Sequence, residues 1–114
     1  MSVVAALQIG SSPAGTAATV QNVLGYQDEI IAAHADLVVL PEALLGGYPK
    51  GEIFGTRVGY RLPEGRAAFE RYFAGAVDVP GAEVDALAGL SQRTGASQLC
   101  CVGCGCWRWP TLDW

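Results

Sequence analysis

An apolar run that ends in a proline and a carboxylate, residues 37–42, constrains the fold of this chain more than any other feature. It reads Leu-Val-Val-Leu-Pro-Glu, and four consecutive apolar residues bounded by a proline predict a short buried strand. Because functional side chains in open α/β sheets gather at the carboxyl ends of the strands, Glu42 is a candidate general base. The spacing by itself favours a structural role, since a proline followed by an acidic residue is also typical of the start of a helix.

The residues before this run predict a β-α-β unit. Residues 3–9 read as a first buried strand, and residues 36–40 as the second. Between them, residues 16–34 fit one amphipathic helix with Thr16 as its N-cap, and Gly25 weakens that helix without forbidding it. A helix of this length between two strands is typical of a parallel crossover, so the sequence predicts an α/β fold.

Two more helices are predicted, one from Pro63 to about Ala74 and one over residues 82–94, ending at Gly95. Residues 77–81 between them read as a short extended segment or turn. A third strand should follow the last helix, but the composition changes there. All four cysteines lie within residues 100–106, and all three tryptophans within the last eight residues. We therefore divide the chain into a partial domain at residues 1–97 and an atypical tail at 98–114.

Composition narrows the classes of function. With 114 residues the chain forms at most one domain, and its net charge of −4 argues against nucleic-acid binding, which needs clustered Lys and Arg. No apolar run approaches the roughly 20 residues that span a bilayer, and no signal peptide is visible, so we expect no membrane association and a cytoplasmic location. Disulfides are rare in a reducing compartment, so they are not the first interpretation of the four cysteines.

Several ordered motifs across residues 1–97 resemble the nitrilase branch of the carbon–nitrogen hydrolase superfamily. In chain order they read Ala-Ala-Leu-Gln (residues 5–8), Leu-Pro-Glu-Ala (40–43), Gly-Gly-Tyr-Pro-Lys-Gly (46–51), Phe-Gly (54–55), Val-Gly (58–59), Pro-Glu-Gly-Arg (63–66) and Val-Pro-Gly (79–81). The glutamate at 42 is shared by the whole superfamily. The Tyr-Pro-Lys-Gly loop at residues 48–51 and the segment at 54–66 resemble those of the nitrilase branch, as distinct from amidases or carbamoylases.

The resemblance implies the N-terminal part of a four-layer α-β-β-α sandwich, incomplete in this chain. It also implies a Glu-Lys-Cys catalytic set that hydrolyses a nitrile to a carboxylic acid and ammonia through a covalent thioimidate. Glu42 matches the general base, and Tyr48 matches a residue near the substrate pocket. The family uses neither a metal nor an organic cofactor, and its members form homo-oligomers.

The match to the family ends before the family's lysine and nucleophilic cysteine. Lys50 belongs to the Tyr-Pro-Lys-Gly loop, and none of the cysteines at 100–106 stands in the nucleophile's context, so we expect this chain to be an inactive N-terminal fragment. We hypothesise that the segment from about Gln98 is translated in a shifted reading frame. Moving the codons of residues 104–109 forward by one base gives Val or Ala, an undetermined residue, Val or Ala, Gly, a second undetermined residue and Gly. This order is typical of a strand that enters a turn. Sequencing the source DNA tests this, since the hypothesis requires a single-base change that restores a frame encoding the missing Lys and Cys motifs.

A different class of protein, a small zinc- or redox-active binding module, is the alternative. Cys101 and Cys104 form a C-x-x-C pair, and Cys100 and Cys106 stand beside them. Structural zinc sites often use two separated pairs, however, and this sequence has no second pair. Inert thiols or a shifted frame therefore remain the preferred interpretation, and metal analysis of the purified protein distinguishes the two classes.

Overall fold

The structure, a computed structural model, describes residues 1–47, 56–57, 60–61, 63–100 and 107–108. In chain order its elements are β1 (Val4–Ala6), α1 (Thr16–Leu24), α2 (Gln27–Ala32), β2 (Leu37–Val39), β3 (Thr56–Arg57), β4 (Tyr60–Arg61), α3 (Pro63–Ala74), β5 (Val77–Asp78), α4 (Ala82–Thr94), β6 (Ser97–Leu99) and β7 (Trp107–Arg108).

A three-stranded parallel sheet lies at the centre of the fold, with strand order β1-β2-β6. Ala5 stands opposite Val38, and Val38 stands opposite Gln98. The parallel pairing of β1 with β2 confirms the predicted β-α-β crossover, and β6 supplies the third strand that the pattern required. The mixed α/β character and the small parallel sheet agree with an incomplete nitrilase-like fold.

The helices α1, α2 and α4 pack together and cover one face of this sheet. Val23 of α1, Val38 of β2 and Leu90 of α4 meet there and are 1%, 2% and 0% exposed. The amide of Gln98 faces the same side and donates to the Leu87 carbonyl of α4 at 3.0 Å. Burial of these apolar side chains is the main force that holds helices and sheet together.

The single helix predicted over residues 16–34 is wrong, because the structure contains two shorter helices. The backbone leaves helical geometry at Tyr26 (φ −89°, ψ 8°), directly after Gly25. Glycine gives up the most backbone entropy in a helix, so the helix breaks most readily at this position. Tyr26 packs against the same apolar cluster as Val23 and Ile30, so the break does not leave the core.

The predicted N-cap at Thr16 is also wrong. Gly15 is the N-cap, and Thr16 is the first residue of α1. The Thr16 hydroxyl instead donates to the Gly75 carbonyl at 2.7 Å. The Thr16 side chain therefore bonds to a carbonyl that is distant in the sequence and does not cap the helix. The local sequence does not predict this partner.

The two later helices agree with their predicted limits. α4 ends at Gly95, whose φ of 72° is the left-handed conformation of a glycine cap. α3 buries only Gly65 and leaves Phe69 and Phe73 stacked at a centroid distance of 6.2 Å, on an exposed part of the helix. Of residues 77–81, predicted as a short extended segment or turn, Val77–Asp78 form β5, which pairs in parallel with β7. β3 pairs antiparallel with β4. No helix in the described ranges combines the length and the apolarity that crossing a bilayer requires.

Candidate active-site carboxylate

Glu42 lies at the carboxyl end of β2, the central strand of the sheet. The last sheet contacts before it are the Leu7 amide donating to the Val39 carbonyl at 3.0 Å and the Leu40 amide donating to the Leu99 carbonyl at 2.9 Å. The chain then turns, and the Glu42 side chain is exposed to solvent. The strand therefore presents a carboxylate where α/β sheets usually place functional groups.

The turn that follows Glu42 is anchored by buried side chains. Ala43, Leu44 and Leu45 are 3%, 2% and 4% exposed, so the three residues directly after the carboxylate are part of the core. Ala43 has a φ of 53°, a left-handed conformation that is uncommon for residues other than glycine. Such a conformation persists only where the surrounding packing fixes it. The backbone next to Glu42 is therefore held in one orientation.

A hydrogen bond from another loop also reaches this turn. The Ser11 hydroxyl, in the loop after β1, donates to the Leu44 carbonyl at 2.7 Å. Residues 10–15, Gly-Ser-Ser-Pro-Ala-Gly, are typical of a turn and carry no other signal in the sequence. Nothing in the local pattern pairs Ser11 with a carbonyl 33 residues away, and the only signal was the position of both loops at the carboxyl ends of adjacent parallel strands.

The other predicted site residues fall mostly outside the described ranges. Tyr48 lies there, as do Cys101, Cys104 and Cys106. Cys100 is described and half-buried. It packs against two groups of buried apolar side chains, one that includes Val38 and one that includes Val77. Among the described residues, no three His, Cys, Asp or Glu side chains come together in a way that could hold a metal ion, so nothing there favours the zinc-binding alternative.

An open cavity of about 610 Å³ lies beside the break between α1 and α2. Its lining combines backbone and polar side chains with two ionisable groups, Tyr26 and Glu29, and does not include Glu42. The seven lining residues are Ile9, Gly10, Gln21, Asn22, Gly25, Tyr26 and Glu29. The carboxylate at the end of β2 lies outside this cavity and remains the candidate site.

Comparison with known proteins decides the family. The model of the carbon–nitrogen hydrolase family matches residues 3–103, which is most of the chain. The chain belongs to the carbon–nitrogen hydrolase family. Within that family it lies on the nitrilase branch, since relatives at 41–45% identity are named as nitrilases.

Three relatives illustrate the likeness. A nitrilase of Bradyrhizobium diazoefficiens is 42% identical over 100 residues, which is 88% of this chain and 30% of the relative. An aliphatic nitrilase of Sinorhizobium fredii is 41% identical over 91 residues, 80% of this chain and 30% of the relative. A bifunctional nitrilase/nitrile hydratase of Nicotiana tabacum is 45% identical over 78 residues, 68% of this chain and 22% of the relative. The chain thus spans at most about 30% of the length of these carbon–nitrogen hydrolases.

Proposed function

We propose that this chain carries the general base of a nitrilase, a hydrolase that converts a nitrile to a carboxylic acid and ammonia. The observation that carries the proposal is the position of Glu42, exposed on an anchored turn at the end of the central parallel strand. Membership of the carbon–nitrogen hydrolase family supports it, as do relatives named as nitrilases.

The proposed chemistry needs a base at this position. Glu42 takes the proton of a cysteine thiol, and the thiolate adds to the nitrile carbon. The proton then passes to the nitrile nitrogen, which gives a thioimidate. One water molecule adds to the thioimidate and ammonia leaves, which gives a thioester. A second water molecule releases the carboxylic acid and regenerates the thiol. A lysine stabilises the charge of the tetrahedral intermediates.

The same proposal assigns few further residues. We place Tyr48 beside the substrate and assign no catalytic role to Lys50 or to the four cysteines. The chain therefore contains no residue that we assign as nucleophile, and we propose that it is inactive by itself. The reaction needs no metal and no organic cofactor.

Further properties follow from the family resemblance and from composition. We infer a small nitrile as substrate, homo-oligomers in the intact enzyme, and a cytoplasmic setting. The net charge of −4 supports the absence of nucleic-acid partners. We also keep the division into a hydrolase segment at residues 1–97 and a tail at 98–114, with the first two residues of that tail, Gln98 and Leu99, completing strand β6.

A chimera tests the role of Glu42. Residues 1–97 would replace the corresponding segment of the Bradyrhizobium diazoefficiens nitrilase, and ammonia release from nitriles would be measured. We expect the chimera to be active and Glu42→Gln to lower kcat by about 10²–10⁴-fold, the usual contribution of a general base. Glu64→Gln, a change of the same chemistry at an exposed position of α3, is the matched control and should keep full activity.

An active chimera in which Glu42→Gln matches the parent would refute the assignment of the base. This chain alone, not joined to the rest of the relative's sequence, should release no ammonia above background in the same assay. Ammonia release there would show that it contains its own nucleophile.

A further inference from the structure

We propose that Ser11 is a positioning residue for Glu42, a role that rests on the proposed function of that carboxylate. Its hydroxyl connects the loop after β1 with the turn after β2, and so fixes the backbone that carries the carboxylate. Ser11 does not touch the reacting atoms in this proposal. It acts through the Leu44 carbonyl, two residues after Glu42.

The bridge is a short hydrogen bond between two loops at the same end of the sheet. The Ser11 Oγ donates to the Leu44 carbonyl oxygen at 2.7 Å, in a partly buried position. A Cβ placed at Gly47 would lie 4.0 Å from the same Oγ, so the hydroxyl also lies against the end of the turn. Since β1 and β2 are parallel neighbours, their two following loops emerge side by side, and the bridge joins them there.

Ser11 can hold the turn because its own loop is fixed on the start of α1. The Ser12 amide donates to the Thr19 Oγ1 at 2.9 Å, and that hydroxyl donates to the Gly15 carbonyl at 3.0 Å. The Gly15 amide in turn donates to the Ser12 carbonyl at 3.1 Å. Thr19 is fully buried, so water does not compete for the two hydrogen bonds of its hydroxyl.

The turn needs such support because Ala43 holds an uncommon backbone conformation. A φ of 53° is disfavoured for alanine by contact between its Cβ and the backbone. Packing of Ala43, Leu44 and Leu45 in the core opposes relaxation, and the Ser11 bond fixes the peptide group that follows Leu44. Removing the bond should let the turn open more often, with Glu42 moving along with it.

Hydrogen exchange of the chain itself, read by mass spectrometry, tests this inference without any activity measurement. We expect Ser11→Ala to raise exchange in residues 41–47 by about five-fold, the effect of losing one ordinary hydrogen bond. Ser11→Thr keeps a hydroxyl and should restore the original rate. Ser12→Ala is the matched control, because the Ser12 hydroxyl accepts from the Ala14 amide within its own loop.

NMR chemical shifts distinguish a local change in the turn at residues 41–47 from a loss of order throughout the chain. The ¹³C chemical shifts of Ala43 depend on its φ, so in Ser11→Ala they should move toward ordinary values while those of α4 stay unchanged. If Ser11→Ala does not fold, Ser11→Cys keeps the size of the side chain with a weaker donor. A rise in exchange confined to 41–47 in Ser11→Cys then supports the inference, and unchanged exchange overturns it.

Unchanged exchange at 41–47 in Ser11→Ala, an equal effect of Ser12→Ala, or a uniform change across the chain would each overturn the positioning role. Failure of the proposed function would look different. It would show as an active Glu42→Gln chimera, while the exchange rates of the Ser11 variants would remain as expected.

Discussion

At the scale of single residues, the N-terminal end of α1 is organised around the buried hydroxyl of Thr19. Thr19 is 0% exposed, yet its hydroxyl is fully used, accepting from the Ser12 amide and donating to the Gly15 carbonyl. A buried polar group that loses its partner pays its full desolvation penalty, since no water replaces the bond. The N-terminal end of α1 therefore depends on one threonine.

We predict that Thr19→Val lowers the free energy of unfolding by about 1–3 kcal/mol, because the Ser12 amide loses its buried acceptor. Thr94→Val is the matched control. The Thr94 hydroxyl makes a similar pair of bonds, to the Leu90 carbonyl and from the Ala96 amide, but at a half-buried position that water can reach. Urea unfolding followed by circular dichroism measures both variants. An equal loss in the two would contradict the importance of burial.

At the scale of elements, the sequence predicted best where a proline or glycine marked a boundary. Pro63 and Gly95 mark the start of α3 and the end of α4, and both helices have the predicted limits. The break after Gly25 could not be predicted, because a glycine lowers helix propensity without deciding whether packing overrides it. The Thr16 error has a similar cause, since its acceptor on Gly75 lies 59 residues away.

Gly95 shows how one boundary residue sets an element. Its φ of 72° is strained for any residue with a Cβ, although no atom would obstruct that Cβ within 4 Å. We predict that Gly95→Ala lowers the free energy of unfolding by about 1–2 kcal/mol through backbone strain alone. Gly10→Ala is the control, because its Cβ also meets open space and its φ is not left-handed, so its stability should stay within about 0.5 kcal/mol of the parent. Thermal unfolding measures both variants, and an equal loss of stability in the two would contradict this account.

At the scale of the whole molecule, the position of Glu42 followed from the sequence but its supports did not. A strand that ends in Pro-Glu, within a β-α-β unit, is enough to place a carboxylate at the end of a parallel strand. The bridge from Ser11 and the left-handed Ala43 depend on how two distant loops meet, which no local pattern encodes. An incomplete sheet also leaves an apolar face exposed, and the described part of the structure shows such a face.

The apolar face lies opposite the helices. Val4, Leu37 and Ser97 stand in one row across the strands, and Ala6, Val39 and Leu99 in the next. Side chains alternate along a strand, so these two rows point away from the helix-covered row that contains Val38. Val4 and Leu99 are 60% and 58% exposed, on strands that pair on one side only among the described residues. Exposed apolar surface next to such an edge favours association.

We therefore predict that the chain associates as its concentration rises. Val4→Lys should weaken this association about tenfold, because it removes one buried valine side chain from the contact and places a charge at the sheet edge. Ile31→Lys is the control, because it adds the same charge to a 43% exposed position on α2, on the side of the sheet that the helices cover. Sedimentation velocity over a concentration series separates the variants. If Ile31→Lys weakens association as much as Val4→Lys, the effect is one of net charge, and the sheet face does not drive it. A chain that stays monomeric at every concentration would show that burying this small face contributes too little to hold two copies together.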